Sequence, residues 1–482
     1  MTRREWVGLT AASAAVQAPA QNAIPIGTER QLFADRFLID RLTGTHRLHA
    51  PRDAGPVFRF DAPWEGIYSA YATVVPARDR LRLYYRGNPA GDRNRNQHEV
   101  TCVAESADGI HWERPRLDLY PGKPNVVLAE QPPCSHNFAP FIDEREGVPA
   151  SERWKALAGT GRGGLMAYAS PDGYRWRRMR DEAVVPWRQG AGFDSLNIAF
   201  WSANENQYVC YFRSFRMVGG ERYRWIARTT SPDFLNWAPP LDLDFRHHGE
   251  PAPPEQLYTN QIAPYYRAPS LYLGIAARFF PNRPALTPEQ QKGVNVEERY
   301  LNDISDAVLL TTRAGIVCHR DFLEGFVRPG IGYDNWTSRT NYPVRNVVPT
   351  SETELSLYVQ KNYGQPTGYL RRYTLRIDGF ASVGAGYGGG DVVTKPVVFS
   401  GKQLEINYAT SAAGGVRVEL TDTAGKPLPG FAAGDCREII GDEIARTVVW
   451  SQGSDVSRAA GTAVRLRFVL KDADVYSFRF IG

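Results

Sequence analysis

Helical periodicity is almost missing from this 482-residue chain: outside TPEQQKGVNVEERYL (287–301) no stretch carries apolar residues at helical spacing, which points away from a helical fold. No apolar run after the N-terminus approaches the roughly 18–20 residues of a membrane-spanning helix, so no membrane span is expected. Cysteine is sparse. Cys102, Cys134, Cys210, Cys318 and Cys436 are an odd number without CxxC or metal-ligand spacing, and most sit in strand patterns as small buried hydrophobes. Charge of one sign is also scarce, at a net +5. The basic run RWRRMR (175–180) has no nucleic-acid motif beside it and is read as a solvated strand face, so no nucleic-acid partner is expected.

What is present is turn chemistry. The chain holds 44 Gly and 34 Pro, with 43% hydrophobic and 12% aromatic residues, ample for a buried core. ESADGIHWERP (105–115), ASPDGYRW (169–176) and TSPDFLNW (230–237) repeat one pattern: Ser, an Asp two positions on, and a Trp four residues after the Asp. Asp–Gly or Pro–Asp supplies the backbone angles of a tight turn, and the Asp carboxylate accepts from the turn's own N–H groups. The Trp then opens the returning strand.

Three strand candidates precede each turn. They are IYSAYATVV, LRLYYRG and EVTCVAES in the first copy, NFAPFID, RWKALAG and GLMAYAS in the second, and LNIAFWSA, QYVCYFRS and YRWIARTTS in the third. The turn aspartates Asp108, Asp172 and Asp233 lie 64 and 61 residues apart (172 − 108 and 233 − 172), a spacing that fits four-stranded meanders with generous loops. Degenerate copies follow at 258–322, with an insertion at 281–305, and at 342–386, where FASVGAG is the expected fourth strand. The expected fold is all-β: a five-bladed β-propeller followed by a C-terminal β-sandwich.

Both ends differ from this repeat. Arg3 and Arg4 precede a mildly apolar stretch ending in VQA, a pattern that resembles a twin-arginine (Tat) export signal over residues 1–18. Export to the periplasm or the outside is therefore expected. The propeller is expected over 19–386. Beyond the Gly-rich GAGYGGGD (384–391), period-two alternation marks a second all-β domain at 387–482, structural or carbohydrate-binding.

This architecture, with LFADRFLID (32–40), PWE (63–65) and EGFVRPG…NWTSRTNYP (324–343), resembles the invertase-like and arabinanase-like glycoside hydrolases and their distant secreted bacterial relatives. The resemblance covers nearly the whole chain after residue 18 and implies a secreted glycosidase acting on a plant or microbial oligo- or polysaccharide. The invertase-type motifs N-D-P-N-G, R-D-P and E-C are absent, so catalytic residues do not carry over by motif.

The site is argued from blade geometry instead. Starts of the innermost strands and second-to-third loops share the face opposite the Asp turns. Glycoside cleavage needs two carboxylates with divided roles, made unequal by burial and neighbouring Arg. Asp194 is the expected nucleophile or base, Glu65 and Glu324 compete as general acid, and Glu255 is held in reserve. Substrate contacts are expected from Trp64, Tyr68, His136, Asn137, Asn197, Asn260, Trp336, Arg339 and Asn341. Asp35 and Asp40 are assigned to the N-terminal strand that closes the ring. No cofactor is expected; Asp194 and nearby amides are oxygen ligands of the kind calcium takes, but no spacing specifies an ion. A non-catalytic carbohydrate-binding propeller is the alternative. A sialidase-like hydrolase is another, although it would want six blades and three converging arginines, against one good inner-strand arginine, Arg339, with Arg345 doubtful.

Overall fold

A computed structural model of the protein describes residues 23–88 and 98–482; the export signal expected at 1–18 lies outside them. The chain forms two compact units, one of 32–37 and 46–382, the other of 383–482 with the N-terminal segments up to residue 31 and 38–45.

The larger unit is a five-bladed β-propeller. Blade one runs Ala70–Pro76, Leu81–Gly87, Val100–Ser106 and Val126–Leu128. Blade two runs Ala139–Ile142, Trp154–Ala158, Met166–Ser170 and Arg177–Arg178, and blade three Ile198–Ser202, Gln207–Val218, Glu221–Ser231 and Leu241–Asp242. Blade four has Ala263–Tyr265, Ala268–Phe280, Ile304–Thr312 and Val317–His319, with Asp244–His247 added in parallel on its outer edge. In blade five Tyr342–Pro343 and Val348–Pro349 both pair with Glu354–Lys361, which pairs with Tyr369–Arg376.

The fourth strand of blade five corrects the sequence reading. It is Arg52–Arg59, antiparallel to Tyr369–Arg376 with Leu370 opposite Phe58, so the chain's beginning closes the ring onto its end. FASVGAG does not serve there, because Val383 pairs with Val475 in the other unit. Neither Asp35 nor Asp40 lies on the closing strand. Asp35 is buried at blade four, accepting from Thr311 Oγ1 at 2.7 Å and Arg313 Nη1 at 2.8 Å. Asp40 pairs with Arg465 at 2.7 Å in the smaller unit.

The three hairpins share one bonding scheme. Ser106, Ser170 and Ser231 each donate to the Asp two residues on, and that Asp Oδ1 accepts from the second and third N–H groups after it, at 2.8–2.9 Å. Gly109 and Gly173 occupy the left-handed position at φ +74° and +78°; in the third copy Phe234 sits there at φ +70°. The strain costs of order 1 kcal/mol or more, but its ring is fully buried against Phe141, Tyr208 and Trp237, which holds the turn in place.

The insertion at 281–305 is only briefly helical. Thr287 caps Pro288–Gln291 with a capping box, a 3-10 turn covers Glu298–Tyr300, and Gly293 falls between them. In the smaller unit two nineteen-residue strands, Gln403–Thr421 and Ala463–Ile481, pair antiparallel. Gly390–Thr394 and Val397–Phe399 join the second of them. Ile24–Gly27 adds to Val397–Phe399 in parallel, and Phe399 stacks on Phe480 at 3.6 Å. All five cysteines are buried and free. Among the described residues no helix is long and apolar enough to cross a membrane.

Phe58 is 6% exposed on the closing strand and meets Phe60 and Tyr85 edge-on. Phe58→Ala is therefore expected to cost about 3–5 kcal/mol, read by urea denaturation as one cooperative loss of the propeller; an unchanged midpoint would show that closure does not govern stability.

Candidate active site

Each blade reverses direction between strands, so the start of its first strand and the Asp turn after its third lie at opposite ends. The face away from the Asp turns therefore collects the starts of first strands, the ends of second strands and the starts of third strands. Polar and aromatic side chains from all five blades meet there.

From blade one come Tyr68, Tyr71, Arg86 and Glu99. Arg86 is buried, donating to the Tyr68 carbonyl at 2.6 and 3.1 Å and to Tyr363 Oη at 3.1 Å. His136, from blade two, lies against it: Arg86 Nη1 is 3.2 Å from both ring nitrogens, and His136 Nδ1 is 2.9 Å from Glu99 Oε2. Tyr71 packs on the His136 ring at 5.4 Å and donates to the Asp194 carbonyl at 3.0 Å. Glu99 and His136 are thus hydrogen-bonded to each other, while Tyr71 packs on the His136 ring and bonds the backbone, not the carboxylate, of Asp194.

Blade three supplies Asp194, Arg213 and Arg224. Asp194 is 51% exposed at the side chain and paired with the buried Arg213. Partial burial works to raise its carboxyl, but the Arg213 guanidinium outweighs this and holds it below the usual carboxylate range. Tyr258, opening blade four, is ringed by arginine: the guanidinium carbons of Arg213, Arg224 and Arg339 lie 4.7, 5.2 and 5.8 Å from its ring centroid. Burial alone would raise its phenol, but Arg339 and Arg213 draw it below the usual value. Tyr71 and Arg339 are non-glycine residues at φ +53° and +59°, strained backbone of the kind that gathers at functional sites.

The 281–305 insertion reaches the same place. Tyr300 packs on Tyr68 and Tyr363, and Glu297 accepts from the Tyr68 hydroxyl while pairing with Arg299 at 2.6 Å.

The four carboxylates singled out from sequence are not brought together. Glu65 is 0% exposed and saturated by Tyr85 Oη, Arg114 and the Ala62 N–H, inside the packing of blades one and five. Glu255 is clamped by Arg278 at 2.8 Å and Arg320 at 2.8 and 3.0 Å; burial opposes its ionisation, yet these arginines hold it below the usual range. Glu324 is an exposed loop residue. Only Asp194 joins the cluster.

The amides differ from expectation in a regular way. Asn137, Asn197, Asn260 and Asn341 each precede an innermost strand, are buried, and point their Nδ2 at backbone carbonyls. Asn137 bonds Gly159 and Ser195 at 2.8 Å, Asn197 bonds Phe193 and Ser195 at 3.1 Å, Asn260 bonds Tyr211 at 3.4 Å, and Asn341 bonds Ser305 at 2.9 Å and Asn335 at 3.0 Å. They staple loops and blades and leave little for a sugar. Trp64 donates to Asn125 at 3.0 Å and Trp336 to the Gly330 carbonyl at 3.0 Å, each packed in its own apolar cluster. Tyr68, His136 and Arg339 do line the cluster. The reading missed Tyr71, Arg86, Glu99, Arg213, Arg224, Glu297, Tyr300 and Tyr363. Most of these flank second-to-third loops, whose place on this face was expected but whose residues were not drawn upon.

The arginine count is corrected too. Arg86, Arg213, Arg224 and Arg339 converge, on five blades, whereas Arg345 serves elsewhere. Buried beside a cavity of about 600 Å³ lined in part by Phe141, Phe200, Tyr265 and Val344, it donates to the Pro140 and Ala199 carbonyls at 3.0 Å. Burial pushes its guanidinium down to about 10. Among the described residues no group of three or more His, Cys, Asp or Glu side chains could hold a metal ion.

No family model matches the chain. It is 30% identical over 115 residues to a probable sucrose-6-phosphate hydrolase of Psychromonas ingrahamii, a match spanning 23% of this chain and 18% of that protein. Solved structures of similar fold include a glycoside hydrolase (TM-score 0.45, 11% identity, 68% of this chain and 92% of that one). Others are a Bombyx mori GH32 beta-fructofuranosidase (0.41, 10%, 88% and 94%) and an N-acetylgalactosamine deacetylase from F. plautii in complex with blood group B trisaccharide (0.44, 12%, 69% and 95%).

Glu65→Gln is expected to cost about 2–3 kcal/mol, below the full cost of breaking a buried pair because Arg114 reaches solvent. Thermal unfolding measures this; a variant as stable as the parent would free Glu65 for another role.

Proposed function

We propose that the chain is a glycoside hydrolase working at this mouth, with Asp194 as base or nucleophile and the Glu99–His136 pair as proton donor. The observation that supports the reading most is the half-exposed Asp194 carboxylate, ion-paired with Arg213, beside the hydrogen-bonded His136–Glu99 pair, with Tyr71 packed on the His136 ring and bonded to the Asp194 carbonyl. An ionised, solvent-reaching carboxylate is what attack at an anomeric carbon or activation of water requires. The imidazole, oriented by a buried carboxylate, is of the side-chain type that passes a proton to a leaving oxygen. Tyrosine rings offer stacking faces for sugar. The partial match to a sucrose-6-phosphate hydrolase is in keeping with this class; the substrate is proposed as an oligo- or polysaccharide.

Asp194→Asn is expected to lower kcat by at least about a thousandfold on whichever glycan a reducing-sugar screen identifies; because Asp194 is the carboxylate partner of the buried Arg213, a melting curve is recorded alongside and kcat is compared on folded protein only. Glu99→Gln, which removes the carboxylate that holds His136 Nδ1, should lower kcat as well. Full activity in Asp194→Asn would end the assignment, and glycan binding without turnover by the parent would favour a carbohydrate-binding propeller.

Export is proposed with it, from Arg3 and Arg4 ahead of the mild apolar stretch. Replacing both by Lys should leave the protein in the cytoplasm of an expressing bacterium, followed by fractionation and blotting; unchanged export would make the pair incidental.

A further inference from the structure

Among the described residues the mouth carries more positive charge than its carboxylates balance. Glu99 stands against Arg86 and His136, Asp194 against Arg213, and Glu297 against Arg299. Arg224 has Gln256 Oε1 as its side-chain partner, at 3.2 Å, and among the described residues neither Arg224 nor Arg339 has an ion pair. All three guanidinium groups around Tyr258 hold buried N–H donors without acceptors: Nε and Nη1 of Arg213, Nε of Arg224 and Nε of Arg339. Arg213 is 4% exposed, so its idle donors sit beyond the easy reach of solvent. A buried charged donor left unsatisfied costs more than a kcal/mol, and here the deficit recurs three times around one ring.

Of the three guanidinium groups only Arg224 is lowered; burial opposes ionisation of Arg213 and Arg339 too, but Asp194 beside the first and Tyr258 beside the second hold them above the usual value. Burial first, and then Arg213 and Arg339 beside it, push Arg224 below the usual guanidinium value. The backbone at Arg339 is held in the left-handed region, at φ +59°, to bring its side chain here. Buried guanidinium N–H donors without acceptors, grouped around one ring, are suited to an anion. Guanidinium forks match the paired oxygens of such a group.

We propose that Arg213, Arg224 and Arg339 form a cradle around Tyr258 for the oxyanion of an acidic carbohydrate, a sugar carrying a carboxylate, a sulfate ester or a phosphate ester. This rests on the mouth being the carbohydrate site and names the class of sugar it takes. The anionic group docks on the Arg224–Arg339 side, leaving Asp194, already paired by Arg213, to face the reacting carbon.

The test is titration calorimetry of the full chain with galacturonate, galactose 6-sulfate, galactose 6-phosphate and galactose, in the parent and in Arg224→Gln and Arg339→Gln, each first checked for an unchanged melting curve. At least one acidic sugar should bind tenfold or more tightly than galactose, should weaken as salt rises, and should lose at least tenfold in one or both variants while galactose is unaffected. The acidic sugar that gains most identifies the oxyanion. Acidic sugars binding no better than galactose, or binding undiminished in both variants, would overturn the cradle. If acidic sugars bind as expected but no glycan is cleaved, the cradle stands and the hydrolase reading fails; if a glycan is cleaved but acidic sugars bind no better than galactose, the hydrolase stands and the cradle fails.

Discussion

Pairing of Arg52–Arg59 with Tyr369–Arg376 joins two stretches more than three hundred residues apart, and without it blade five would be an open edge of unpaired N–H and C=O groups. Closure does more than satisfy that edge. Arg339 and Tyr363 from blade five come against Tyr258, Tyr300 and Arg86 from blades four and one. No blade holds the site alone. Tyr258 and its three arginines come from blades three, four and five, so their spacing is set by the ring as a whole.

The amide staples serve the same end. Bonds to backbone carbonyls by Asn137, Asn260 and Asn341 tie a loop or strand of one blade to the next, while Arg345 ties carbonyls of blades two and three to blade five. Buried polar side chains need partners in proportion to their donors. The asparagines before the innermost strands of blades two to five spend their Nδ2 groups on backbone carbonyls, which leaves those donors unavailable to a ligand. The arginines around Tyr258 are the converse, buried and incompletely bonded.

The hairpins were legible because their chemistry is local: Ser, Asp and the following N–H groups lie within five residues, and the same bonds form three times over. Blade number followed from these three together with the two degenerate copies at 258–322 and 342–386. The closing strand was not legible, since RDAGPVFR carries no mark of a partner so far away, while FASVGAG, contiguous with blade five, reads as its natural continuation. At the site, Asp194, His136, Tyr68 and Arg339 were legible from their place at innermost strands. Glu65 was misread because sequence position cannot show that Tyr85 and Arg114 take up both its oxygens. Glu99 and Arg213 were passed over because each sits within a strand pattern that accounts for it without a ligand.

By itself, the amino-acid sequence determined the all-β character, the four-stranded repeat and the turns, because period-two alternation and turn bonding act over a few residues. Only the tertiary structure decided which polar side chains are spent on the scaffold and which remain open to a ligand. That division depends on register, on ring closure and on whether partners from other blades satisfy each buried group, and none of these is a property of neighbouring residues in the chain.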